Sequence, residues 1–156
     1  DGGPCFCGLE STIIGFENDK PILYRHGAIS IQEIEKIIGP IKIKNQNSKN
    51  PSAPGMLTRH YAPKTQIQIN EDISLALAQN PDKKIGVLSF RKNKKIKTEI
   101  HQEVLSISGD LNEASKNLYA ALHRLDQMNL DLIISSFFPE KGLGKTINDR
   151  LKRAIK

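Results

Sequence analysis

The stretch from Pro51 to Pro63 reads Pro-Ser-Ala-Pro-Gly-Met-Leu-Thr-Arg-His-Tyr-Ala-Pro, setting a guanidinium (Arg59), an imidazole (His60) and a phenol (Tyr61) side by side. These groups suit clamping a polyanion and stacking on a flat base. Prolines at 51, 54 and 63 and a glycine at 55 deny the stretch regular structure. Loops of that kind commonly touch a ligand, and anchoring a linker is an equal use for the same side chains.

Three further places could carry chemistry. In Gly8-Leu-Glu-Ser-Thr-Ile-Ile14 a polar triplet enters an apolar strand. Hydroxyls at a strand mouth can bind a carboxylate or phosphate, but they serve turns more routinely. Tyr24-Arg25-His26-Gly27-Ala28 stands just ahead of a capped helix, where Arg25 could meet a phosphate or make a surface ion pair. Lys141-Gly-Leu-Gly-Lys-Thr146 lies between a strand and a helix, as a phosphate loop would. The match is incomplete, because the position five residues ahead of Gly144, where such a loop needs glycine, is Pro139. Cys5 and Cys7 enclose only Phe6, a spacing unlike a zinc knuckle, and read as reduced structural thiols of a cytosolic protein. No Ser-His-Asp order, paired-carboxylate motif or His-rich metal cluster stands out.

The elements that must position these groups fall into two sections. Ser11–Phe16 and Ile22–Arg25 read as strands around the turn-rich Asn18-Asp-Lys-Pro21. The next element is a helix in which Ser30 and Glu33 form a capping box, Ile31, Ile34, Ile37 and Ile38 share an apolar face, and Gly39-Pro40 stops the run. Residues 1–40 cannot bury an adequate core alone, so they are expected to be the end of a larger α/β domain or to pack on the carboxyl-terminal section of the chain. Residues 41–64 are polar and proline-rich and are expected to be an interdomain linker.

From Thr65 onward strands at Gln66–Ile69, Lys84–Phe90, Glu103–Ile107 and Leu130–Ser135 alternate with helices near Asp72–Gln79, Leu111–Met128 and Leu143–Lys156. Such alternation predicts a parallel sheet covered on both faces, so residues 65–156 are expected to form a small doubly wound, Rossmann-like domain. The fold class is therefore α/β, a parallel-sheet domain preceded by a domain fragment and a linker.

The chain has 156 residues, 38% of them hydrophobic and 26% charged, with no apolar run of membrane-spanning length. A soluble protein is expected. It begins at Asp1 rather than Met, without a charged leader or an apolar signal core, and is expected to be part of a longer polypeptide. The net charge of +6 is concentrated in Arg91–Lys97 and Lys141–Lys156, runs that read as solvated faces or as phosphate and RNA contacts.

Taken in order, these segments resemble the long, two-domain form of the YrdC-like threonylcarbamoyl-AMP synthases. Gly8-Leu-Glu-Ser-Thr-Ile-Ile14 resembles that family's Glu-Ser-Thr strand, and Leu23-Tyr-Arg-His-Gly-Ala-Ile29 its Leu-Arg-Pro-Gly-Ala-Ile turn. Ser52-Ala-Pro-Gly-Met56 with Arg59-His-Tyr-Ala-Pro63 is similar to its linker, and Gly142-Leu-Gly144 with Asn148-Asp-Arg-Leu151 to the close of its accessory domain. The resemblance spans the whole chain and aligns it with the carboxyl-terminal part of the family protein.

The resemblance implies an enzyme that joins L-threonine, bicarbonate and ATP, with Mg2+, into threonylcarbamoyl-adenylate and releases pyrophosphate. The product serves the cytoplasmic machinery that modifies adenosine 37 of tRNA. It further implies that Ser11 binds threonine and that Arg25, Tyr61 and His60 contact ATP. His26 departs from the family's proline, Gly15 from a frequent acidic residue, and Leu57-Thr58 from a more basic-aromatic pair. The family's amino-terminal Lys-x-Arg and Ser-x-Asn motifs are missing, so the chain alone is expected to be inactive. The competing expectations are a non-catalytic tRNA- or protein-binding module, and a nucleotide loop at Lys145-Thr146.

Overall fold

The computed structural model describes residues 7–44 and 62–155. Strands β1 (Ile13–Glu17) and β2 (Lys20–Arg25) pair as an antiparallel hairpin. Asn18 and Asp19 between them both adopt positive φ, 48° and 57°, which is the backbone a tight two-residue hairpin turn requires.

Helix α1 (Ile31–Ile38) begins at Ser30 with the expected reciprocal cap. The Glu33 amide donates to the Ser30 hydroxyl, while the Ser30 amide donates to the Glu33 carboxylate at 2.9 Å. Gly39 ends the helix at φ 77°, a conformation that favours glycine. Only Ile31 and Ile34 of its apolar face are buried, with Leu23 and Ile41. Ile37 stays 86% exposed and Ile38 47% exposed, so the expected face is half bare because nothing among the described residues covers it.

Strand β3 (Lys42–Ile43) then runs parallel to β2, with Ile22 opposite Lys42. These residues were expected in a linker. Their side chains are polar or exposed, and what holds them is backbone pairing, which leaves no mark on composition.

The second sheet contains β4 (Ile67–Ile69), β5 (Ile85–Ser89), β6 (His101–Val104) and β7 (Leu132–Ser135), all parallel in the order β4-β7-β5-β6. Helix α2 (Ile73–Ala78) covers one face, where Ile73 and Ala76 meet Val87, Leu132 and Ile134. Helices α3 (Leu111–Gln127) and α4 (Gly144–Ala154) cover the other, where Leu118, Leu125, Ile147 and Leu151 meet Leu88 and Ile133. Adjacent strand residues thus feed opposite cores, as a doubly wound sheet demands.

Strand β6 ends three residues before the expected Ile107 because the chain turns there to cap α3. Ser106 and Ser108 donate to the Glu113 carboxylate, Asp110 accepts from the Glu113 amide at 2.7 Å, and Ile107 is left 88% exposed. Leu9, from ahead of β1, enters the core of the second sheet, so the hairpin section is docked on α3 and α4.

Candidate functional site

Ser11 and Arg25 come together at the open end of the β1–β2 hairpin. Strand pairing sets Ile13 opposite Arg25, with a register shift between Ile13 and Ile14 at this end of the hairpin. The Arg25 Nε donates to the Ser11 carbonyl and its Nη2 to the Ser11 hydroxyl oxygen, each at 3.0 Å. A hydroxyl that accepts from a cation still has its own proton to donate, so Ser11 is set up to give a hydrogen bond to a carboxylate or phosphate.

The loop after β2 lies directly on this strand mouth. The Ala28 amide donates to the Glu10 carbonyl at 2.9 Å. The Thr12 hydroxyl donates to the Ile29 carbonyl at 2.7 Å and accepts from the Ile29 amide at 3.1 Å. Gly27 permits the approach, for a Cβ there would stand 2.3 Å from the Ser11 carbonyl carbon and the Thr12 nitrogen.

Behind the pair sits a buried charged cluster. Arg150 of α4 donates from Nε to the Glu10 carboxylate at 3.0 Å, from Nη2 to the His26 carbonyl at 2.8 Å and from Nη1 to Asp149 at 2.6 Å. Asp149 also accepts from Arg153 at 3.0 Å, and the Tyr119 hydroxyl of α3 donates to Glu10 at 3.1 Å. Burial acts to raise the Glu10 pKa, but its own backbone amide, the Arg150 charge and the two side-chain hydrogen bonds outweigh it and hold the carboxyl below its ordinary value. Burial pushes the His26 imidazole down, helped by Arg150, Lys145 and Arg153 and opposed by Asp149. Burial likewise raises the Tyr119 phenol, which therefore stays protonated as the donor to Glu10.

Lys141–Thr146 does not form a phosphate cradle around its threonine. The Thr146 hydroxyl is buried and donates to the Gly27 carbonyl at 3.1 Å, so it is spent on the contact between the two sections. Asn148 holds the preceding loop, accepting from the Phe138 amide at 2.8 Å and donating to the Phe138 carbonyl at 2.9 Å and to Glu140 at 2.8 Å. A cleft of about 680 Å³ lies between Ser30 and Glu33 of the α1 cap and Phe90, Arg91 and Lys141 beyond the strand ends, and neither Ser11 nor Arg25 lines it.

His60 and Tyr61, with Arg59, lie outside the described residues. Among the described residues no group of three or more His, Cys, Asp or Glu could hold a metal ion, and no helix is long and apolar enough to cross a membrane. Cys7 is a free thiol. The charged residues of Arg91–Lys97 are exposed, with only Ile96 turned into the core.

Sequence reasoning missed Arg150 and Glu10. A signal for Arg150 was present: Ile147, Arg150, Leu151 and Ala154 keep helical spacing, which puts a guanidinium on the apolar stripe of α4. A charge in that position demands a partner.

Residues 29–155 match the family described as "Threonylcarbamoyl-AMP synthase, C-terminal domain". Over 99% of its length the chain is 33% identical to the threonylcarbamoyl-AMP synthase of Bacillus subtilis and 32% identical to that of Pyrococcus abyssi, covering 47% and 48% of those proteins. The Schizosaccharomyces pombe protein of the same name is 28% identical and is covered over 44%. Among solved structures, P. abyssi Sua5 complexed with L-threonine superposes with a TM-score of 0.82 at 31% identity, over 99% of this chain and 48% of that one. A P. abyssi Sua5 variant with a neighbouring histidine and tyrosine changed to alanine gives 0.79 at 28% identity, over 96% of this chain and 45% of that one. The chain thus spans about half the length of the relatives it matches.

Proposed function

Because the chain belongs to the threonylcarbamoyl-AMP synthase C-terminal domain family, we propose that the polypeptide carrying it is a cytosolic synthase. Its reaction condenses L-threonine, bicarbonate and ATP into threonylcarbamoyl-adenylate, with release of pyrophosphate and water. Mg2+ enters with the phosphates of ATP as part of the substrate, and the product supplies the threonylcarbamoyl modification of tRNA.

The observation that carries this reading is the fork from Arg25 to Ser11. In the proposed site Ser11 donates to threonine, the molecule with which the P. abyssi relative is complexed, and Arg25 both steadies Ser11 and offers positive charge to ATP. Charge builds on the α-phosphate as the carbamate oxygen of N-carboxythreonine, formed from the threonine amine and bicarbonate with loss of water, attacks and pyrophosphate leaves, which is where a fixed guanidinium helps most. His60 and Tyr61 complete the site from the linker, with Tyr61 against the nucleotide.

The division of labour is part of the same proposal. The first section, through β3, is the closing portion of the catalytic domain, the stretch between β3 and residue 64 is the linker, and residues 65–156 are the accessory domain. Two observations support it: the chain spans about half of its relatives, and Ile14, Phe16, Ile29, Ile37 and Ile43 are exposed around the first sheet, where the rest of a catalytic domain would cover them.

Pyrophosphate release is the test. The longer polypeptide should release it only when ATP, threonine and bicarbonate are all present, and residues 1–156 alone should release none. Turnover by the short chain would refute the division; silence of the longer one would refute the activity.

A further inference from the structure

We infer that Arg150 is a positioning residue for the substrate pair Ser11 and Arg25, acting from the accessory section on the catalytic one; the inference rests on the site assignment proposed above. Its guanidinium reaches the two residues that flank the pair along the chain. Glu10, bound through its carboxylate at 3.0 Å, immediately precedes Ser11. His26, bound through its carbonyl at 2.8 Å, comes immediately after Arg25. One planar group therefore fastens the end of the strand that brings in Ser11 and the end of the strand that delivers Arg25. The Ala28 amide on the Glu10 carbonyl is a second tie between the same two chain segments.

The cost of the arrangement argues that it provides more than adhesion. The Arg150 side chain is only 5% exposed and Glu10 23%, so both charges have given up most of their water. A buried ion pair is commonly no more stabilising than apolar packing of the same volume, whereas its fixed hydrogen-bond directions set geometry. Stability across this contact has other sources: Leu9 in the apolar core and the Thr146 hydroxyl on the Gly27 carbonyl. Each nitrogen of the Arg150 guanidinium is bound, with Asp149 taking Nη1. Rotation of α4 would therefore displace Glu10 and His26 together, and with them the 3.0 Å contacts between Arg25 and Ser11.

The test uses the full polypeptide that carries this chain and reads KM for threonine and ATP in the pyrophosphate assay. Arg150→Lys keeps the charge and removes the fork; Glu10→Gln keeps the shape and removes the charge. Each should raise the threonine KM about tenfold, the loss of a charge-assisted hydrogen bond. Thr146→Val breaks a neighbouring buried contact without touching the guanidinium, and should lower the melting temperature while leaving KM within about twofold. In a Ser11→Ala background Arg150→Lys should add less than about twofold, because the two act on one group.

Full additivity with Ser11→Ala, an unchanged KM in Arg150→Lys, or an equal KM rise in Thr146→Val would each overturn the inference. If Arg150→Lys does not fold, Glu10→Gln decides the matter alone. An unchanged threonine KM in Ser11→Ala by itself rejects the site assignment, and Arg150 falls with it; a raised KM there with a silent Arg150→Lys rejects only the role of Arg150.

Discussion

Arg25 holds Ser11 at two points, its carbonyl and its hydroxyl oxygen, so the serine cannot turn without breaking a charged hydrogen bond. Lysine offers one mobile ammonium in place of that fork. On the site assignment proposed above, Arg25→Lys in the longer polypeptide should lower kcat/KM for pyrophosphate release by about tenfold to a hundredfold, the range expected for one or two hydrogen bonds to a charged group. Steady-state kinetics over threonine and ATP would show it, and wild-type values would count against any role for the fork.

Gly27 is a tightly enclosed place in the hairpin section. An added methyl would strike the backbone of Ser11 and Thr12 at 2.3 Å, where no side chain can step aside. Gly27→Ala should cost roughly 3 kcal/mol or more, in the range of severe overpacking, or prevent folding. Gly15→Ala is the comparison, since the Tyr24 ring that it meets is a movable side chain. Urea denaturation of the two variants should rank Gly27→Ala as clearly the worse.

Lys145 and Asn148 separate structure from nucleotide binding in the last helix. With Thr146 turned to Gly27, Lys145 has no phosphate loop to complete. If the longer polypeptide binds ATP as proposed, Lys145→Ala in it should leave that affinity within about twofold, against the far larger loss that a phosphate-loop lysine would cause. Calorimetric titration with ATP decides.

Asn148→Ala, by contrast, removes partners from the buried Phe138 amide and carbonyl. A loss of about 2–4 kcal/mol in unfolding free energy is expected, since buried polar groups left unsatisfied cost about 1–3 kcal/mol each. An unfolding midpoint unmoved by Asn148→Ala would mean that the loop is held some other way.

Acid should loosen the contact between the two sections in two stages. The His26 pKa lies below its ordinary 6.5, so the folded state binds fewer protons than the unfolded one as pH drops through that range, and stability falls. Glu10 is held below its ordinary 4.5, so its contribution is complete above that value and fades as pH falls through the lower folded value. Unfolding midpoints measured from pH 7 downward should decline in both windows. His26→Asn should remove the first decline and leave the second.

Much of this molecule was legible from local pattern. The Ser30–Glu33 box, the Asn18-Asp19 turn and the strand-helix alternation after Thr65 are set by side chains acting on their own backbone or by apolar spacing. The likeness of Glu10-Ser-Thr12 and Tyr24-Arg-His26 to one family's motifs drew attention to Ser11 and Arg25 as separate candidates. Less was legible where backbone pairs without an apolar signature, as at Lys42–Ile43, or where a hydrophobic run stays uncovered, as at Ile37 and Ile38.

The amino-acid sequence by itself thus determined most of the elements and their order, because periodicity and caps act over a few residues, while the family showed through the likeness of short motifs rather than through either. Only the tertiary structure decided that Arg25 meets Ser11, that Thr146 serves Gly27 rather than a phosphate, and that Arg150 joins Glu10 to His26. Those contacts link positions 14 to 140 residues apart. A hydrogen bond depends on distance and direction in space, and chain packing sets both.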